Sequence, residues 1–146
     1  MHVERTFTVT RPVDEVFAYL GDFTTTNEWD PGTRETVRTS GDGGLGTTYR
    51  NTSEFMGRTV VLTYETVTFD HTPGESGRVQ FRGRNGGTTA TDSMSFTALP
   101  DGGTSIHYRA DFEFSLLLRL VAPLVVGRKL DRLADETIEQ IQRSLS

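Results

Sequence analysis

Asp92 is the residue of this 146-residue chain whose setting gives it chemistry. The run Thr88 to Leu99 alternates with a period of two and reads as a strand. Asp92 then shares a face with Met94 and Phe96. A carboxyl among apolar neighbours must be paired or protonated, and its pKa rises. In that state it can act as a general acid or base. The following strand, Thr104 to Phe114, supplies Tyr108 beside it, so Asp92 and Tyr108 are the catalytic candidates. The plainer role for Asp92 is a structural hydrogen bond to Tyr108, Ser53 or backbone. Tyr49, Tyr64 and Tyr108 carry hydroxyls suited to orienting the polar end of a ligand, or they simply pack. Asn51 and Ser53 fall on the same patch.

The turns set the register. A hairpin tip at Met56-Gly57 opposes Phe55 to Arg58, Asn51 to Leu62 and Tyr49 to Tyr64. In the last hairpin Phe96 opposes Ile106, Met94 opposes Tyr108 and Asp92 opposes Ala110. One face then gathers Tyr49, Asn51, Ser53, Phe55, Val60, Leu62, Tyr64, Phe81, Asp92, Met94, Phe96, Ile106, Tyr108, Ala110 and Phe112. The other carries Arg50, Glu54, Arg82, His107, Arg109, Asp111 and Glu113. The charge on the second face makes the first the interior, because a one-residue slip would bury it. The expected ligand-binding set is Trp29, Tyr49, Asn51, Ser53, Phe55, Leu62, Tyr64, Phe81, Asp92, Met94 and Tyr108.

The elements that must position these residues read as follows. Val3 to Thr10 is a strand. Pro12 and the acids of Val13-Asp14-Glu15 open a helix, with Val13, Val16, Phe17 and Leu20 on one stripe. Phe23 to Glu28 is a second short helical turn, stopped by Pro31. Arg34 to Ser40, Thr47 to Phe55, Arg58 to Phe69, and Arg78 to Arg84 are strands. Gly41 to Gly46 and His71 to Gly77 are loops. A closing helix starts at Pro123, with Leu130, Ala134, Ile138, Ile141 and Leu145 on one stripe. The parts describe an α+β chain: a curved antiparallel sheet gripping one helix, with room for a ligand between them. Residues 1–146 form a single domain in this reading, without repeats or linkers.

Other motifs carry less. Gly41-Asp42-Gly43-Gly44-Leu45-Gly46 matches G-x-G-x-x-G, but a strand follows it where phosphate binding needs a helix N-terminus. It reads as a loop bordering a cavity mouth. His2, His71 and His107 are far apart and read as solvated, so no metal site is expected. Ser76 lacks the nucleophile-elbow pattern. Trp29 is placed under the helix pair near the cavity rim. The apolar run Leu116 to Val126 suits core packing, a lid, a homodimer surface or a membrane-touching patch.

Composition bounds the partners. The net charge is -5 and the pI about 5.2, and no basic stripe occurs, so nucleic acid is not an expected partner. Without cysteine, disulfides, thiol catalysis and thiolate metal sites are excluded. No apolar stretch approaches the roughly 20 residues of a membrane span. Neither a signal peptide nor an integral membrane segment is read, and a cytoplasmic location is expected.

Several stretches resemble a known family in order and spacing. They are Pro12-Val13-Asp14-Glu15-Val16-Phe17-Ala18-Tyr19-Leu20, Trp29-Asp30-Pro31-Gly32, Gly44-Leu45-Gly46-Thr47-Thr48-Tyr49-Arg50, Leu62-Thr63-Tyr64-Glu65 and Asp101-Gly102-Gly103-Thr104. Nearly the whole chain resembles the START-like (SRPBCC) superfamily, and within it the polyketide cyclase/dehydrase-like branch. The resemblance implies the helix-grip fold: a curved antiparallel β-sheet wrapped around a long C-terminal α-helix, with two short helices between the first two strands. It also implies a cavity for a small hydrophobic or amphipathic molecule. No cofactor is expected. Three functions follow as expectations: binding of such a molecule, an aromatase-type cyclase/dehydratase using Asp92 and a tyrosine, or a protein-interaction module.

Overall fold

The computed structural model describes residues 1–113 and 123–146. Seven strands form one antiparallel sheet: β1 (His2–Val9), β2 (Thr33–Ser40), β3 (Thr48–Phe55), β4 (Arg58–Thr72), β5 (Ser76–Asn85), β6 (Thr88–Ala98) and β7 (Thr104–Glu113). Their spatial order is β1-β7-β6-β5-β4-β3-β2, so β1 and β2 are the two edges. The chain crosses from one edge to the other through α1 (Val13–Leu20), a 3₁₀ turn (Phe23–Thr25) and α2 (Thr26–Trp29). The long helix α3 (Pro123–Ser144) packs against β1 and α2. The expected strand end at Phe114 lies outside the described residues. So does most of the Leu116 to Val126 run, of which Val126 is described and buried.

The hairpin registers agree with the turn argument. Phe55 pairs with Arg58, Asn51 with Leu62 and Tyr49 with Tyr64. Phe96 pairs with Ile106, Met94 with Tyr108 and Asp92 with Ala110. The Met56-Gly57 tip has positive φ at both residues, 53° and 79°, the geometry that matches strand twist in a two-residue hairpin. The stripe Val13, Val16, Phe17 and Leu20 is buried, as are Leu130, Ala134, Ile141 and Leu145 of the closing helical segment.

Two features depart from the expected pattern. The loop assigned to His71 to Gly77 is mostly ladder, since pairing continues through His71↔Gly77 to Thr72↔Ser76. Contacts from α1 extend the strands. Asp14 accepts a hydrogen bond from Gly74 N–H (2.9 Å), and its carboxylate meets His71 Nε2 (2.7 Å). The Phe17 ring stacks on His71 at 4.4 Å and lies so close to Gly77 that a β-carbon there would be 2.6 Å from the ring. The second departure is a bulge in β4 between Thr66 and Thr68. A bulge shifts the alternation by one residue. Leu62, Tyr64 and Thr66 are buried before it, and Phe69 packs against Phe17 after it (4.9 Å).

Candidate functional site

A cavity of about 580 Å³ lies between the concave sheet face and α3. Its apolar wall includes Val3, Leu62, Ala90, Ala110 and Phe112 from the sheet, faced by Leu130, Leu133 and Ala134 of α3. Met56 and Arg58 at the β3–β4 tip and Thr88 at the β5–β6 tip line the same end, and Met56 and Arg58 are exposed there.

Four of the polar groups on the wall come from four separate parts of the chain. Asp92 stands on β6 and Tyr108 on β7, and the Tyr108 hydroxyl donates to Asp92 Oδ1 at 3.3 Å. Tyr64 projects from β4, and Asp30 follows α2. Pro31 explains the position of Asp30. The residue before a proline is pushed to extended backbone, here φ -90° and ψ 111°, which ends α2 and turns the chain. Asp30 then accepts from Gly32 N–H (3.0 Å) and Thr33 Oγ1 (2.8 Å). Glu54 N–H donates to the Gly32 carbonyl (2.9 Å), tying this turn to β3.

Electrostatics at this end are governed by burial. Loss of water raises the Asp92 carboxyl to about 7. The neighbouring Asp30 adds to the rise, the Tyr108 hydroxyl opposes it, and Asp111 adds a further increment. Asp92 retains some accessible surface, and that surface faces the cavity. Asp30 is also raised by burial, against the lowering effect of its bonds to Thr33 and Gly32. The Tyr64 and Tyr108 hydroxyls are pushed well above the usual phenol range by burial and by both carboxylates.

Of the residues selected from the sequence, Ser53, Phe55, Leu62, Tyr64, Asp92 and Tyr108 reach the cavity wall. Trp29, Tyr49, Asn51, Phe81 and Met94 are absent from its described lining. The Trp29 indole is buried and donates to Thr25 Oγ1 (2.9 Å) within its own helical segment; its neighbour Asp30 takes the wall position. Asn51 is committed to structure. Its amide donates to Thr36 Oγ1 (2.7 Å) and Thr33 Oγ1 (3.0 Å), and its carbonyl accepts from Ser53. Tyr49 and Phe81 are sealed by Phe23, whose ring centroid lies 5.6 Å and 4.5 Å from theirs. Met94 is fully buried opposite Val79. Phe23 also meets Tyr64 at 4.4 Å, so Tyr64 is the partition between packed core and open cavity.

The loop Gly41 to Gly46 is likewise off the described cavity lining. A β-carbon at Gly44 would touch Phe69, so this loop sits by the packed end of the sheet. His71 pairs with Asp14, and His107 pairs with Glu4 (2.9 Å), so these two histidines are tied to carboxylates rather than simply solvated. Asp30 and the α3 residues Leu133 and Thr137 are wall residues that face counting did not select. The Asp-Pro dipeptide was the available signal for Asp30.

A seven-stranded antiparallel sheet folded on a long C-terminal helix, with short helices after the first strand, is the helix-grip fold of the START-like superfamily. The chain belongs to the polyketide cyclase/dehydrase and lipid transport family, whose model matches residues 1–145. Among solved structures it is similar to an aromatase/cyclase from Streptomyces, with a TM-score of 0.74 and 16% identity over 99% of this chain and 93% of that one. It is also similar to a STAR-related lipid transfer protein from Xanthomonas axonopodis, with a TM-score of 0.74 and 13% identity over 99% and 85% of the two chains. A hypothetical protein from Helicobacter pylori superposes with a TM-score of 0.76 at 11% identity, over 100% and 88%. Among curated proteins none matches the chain in sequence. No helix among the described residues is long and apolar enough to cross a membrane.

Proposed function

We propose that this protein binds a small hydrophobic or amphipathic molecule in the cavity between the sheet and α3. The observation that carries this reading is the cavity itself. Its volume of about 580 Å³ falls within the range of roughly 300–1,000 Å³ typical of small-molecule sites. Its wall is mainly apolar, and four of its polar side chains, Asp30, Tyr64, Asp92 and Tyr108, act on one another, which suits a molecule with an apolar part and a polar group. Lipid transfer and aromatase/cyclase names among the structural neighbours fit such a use. A protein-interaction module would not need the open interior.

The test is native mass spectrometry of the purified protein, followed by organic extraction. An apolar molecule retained in near-stoichiometric amount is the expected result. A bare protein mass, together with no saturable binding of decanol, would overturn the reading.

A second reading has its own observation. Asp92, raised to about 7 and hydrogen-bonded by Tyr108, has the protonation behaviour that a general acid or base needs near neutral pH. On this reading the cavity folds a polyketide-like chain while Asp92 and Tyr108 move protons in cyclisation and dehydration. Asp92→Asn then abolishes turnover while binding persists.

A further inference from the structure

We infer that the bound molecule carries a positively charged group, of the protonated amine class, seated between Asp30 and Asp92. This deepens the binding reading above and rests on it.

Three observations lead there. First, both carboxyls line one cavity, together with the Tyr64 and Tyr108 hydroxyls. That end therefore offers oxygen atoms from four side chains. Second, no cationic side chain is recorded as acting on either carboxyl. Arg58 is the only cationic side chain among the described lining residues, and it is exposed at the hairpin tip. Arg34 is spent on Glu54. Buried carboxylates are ordinarily paired with a cation, because an unpaired charge in an apolar space is costly. Third, the polar groups are left under-used. Tyr64 is 7% exposed and its hydroxyl has no hydrogen-bond partner among the described residues, although it faces the cavity. Asp92 receives a single long bond, from Tyr108.

The surroundings of Asp92 are consistent on every side. Opposite it on β5 is Phe81, and opposite it on β7 is Ala110. The helix contributes Leu130, Leu133, Ala134 and Thr137 to the cavity, none of them charged. The charged groups that act on it are Asp30 and Asp111, both repulsive, and Asp111 is itself held by Arg109 at 2.9 Å. A cation arriving between Asp30 and Asp92 relieves that repulsion and displaces the proton from Asp92. A fatty acid carboxylate meets like charge at the same place, and a neutral alcohol gains a hydrogen bond but no charge pairing.

The experiment compares decylamine, decanol and decanoate by isothermal titration at pH 6 and pH 8. The amine is expected to bind tightest. A primary amine stays charged throughout, with a pKa close to the ~10.4 of lysine, while Asp92 ionises across this interval. Amine affinity therefore rises by up to about tenfold from pH 6 to pH 8, and decanol affinity stays flat. Asp92→Asn, checked for cooperative melting, weakens the amine several-fold while Asp30 remains as its partner, and leaves decanol unchanged. Tyr64→Phe, which keeps the ring, weakens the amine several-fold. Decanol or decanoate binding as tightly as the amine would overturn the inference and leave the binding reading standing. So would an amine affinity unchanged by Asp92→Asn. Failure of all three probes to bind would overturn both.

Discussion

Tyr64 and Gly83 face each other across β4 and β5, and the tyrosine ring occupies the space that a side chain at 83 would need. A β-carbon at Gly83 would lie 2.6 Å from the ring Cζ. The ring has little room to retreat, because Phe23 stands 4.4 Å away. The missing side chain on β5 is what lets Tyr64 serve as the partition between the packed core and the cavity.

The first expectation follows from that contact. Gly83→Ala forces the ring from its place and destabilises the fold by about 1–3 kcal/mol, the usual cost of overpacking. Urea unfolding measures it. The same change shifts the hydroxyl that faces the cavity, so retained-ligand occupancy in native mass spectra falls as well. An alanine variant with unchanged midpoint and occupancy would contradict this view of the ring.

Asp92 makes stability depend on pH. Its folded pKa of about 7 lies above the unfolded value near 3.9, so the folded state holds the extra proton between these limits. Its stabilising contribution is complete below about pH 4, declines as pH rises, and is gone once pH passes about 7. Asp92→Asn removes the dependence. Relative to the parent, the variant is expected to gain on the order of 2–4 kcal/mol between pH 4 and pH 8. Thermal melts across that range read it directly. Parallel curves for the two proteins would show that Asp92 titrates normally.

Asn51 makes a different prediction, because it ties strands rather than facing the cavity. Asn51→Leu leaves the buried Thr36 hydroxyl without its amide donor, and Ser53 loses its acceptor. A loss of about 1–3 kcal/mol is expected for such unsatisfied groups. Thr26 Oγ1 also donates to Thr36 Oγ1 (2.7 Å), so the damage reaches α2 and the Asp30 turn beyond it. Urea unfolding would show the drop. If ligand binding vanished while stability held, Asn51 would belong to the site after all.

Much of this protein is legible in its amino-acid order because the governing interactions are local. Period-two alternation and the Met56-Gly57 tip place Tyr49, Asn51 and Tyr64 on one face without reference to anything distant. The stripe from Val13 to Leu20 does the same for α1. Asp92 and Tyr108 come out adjacent for the same reason: two strands joined by a short turn have one register that keeps charge outside.

Which part of that face is cavity and which is core was decided only by tertiary contact. Alternation says that Tyr49, Phe81, Leu62 and Tyr64 point inward; it does not say what meets them there. Phe23, from a 3₁₀ turn distant in sequence, seals the first two and stops at Tyr64. The bulge after Thr66 breaks the alternation, so Phe69 joins the Phe17 cluster against simple counting. Asp30 enters the cavity because Pro31 bends the chain and Glu54 holds the turn against β3. Chain order settles the direction of each side chain, since that depends on neighbouring torsions. The space left empty depends on how distant elements pack, and only the folded chain determines that.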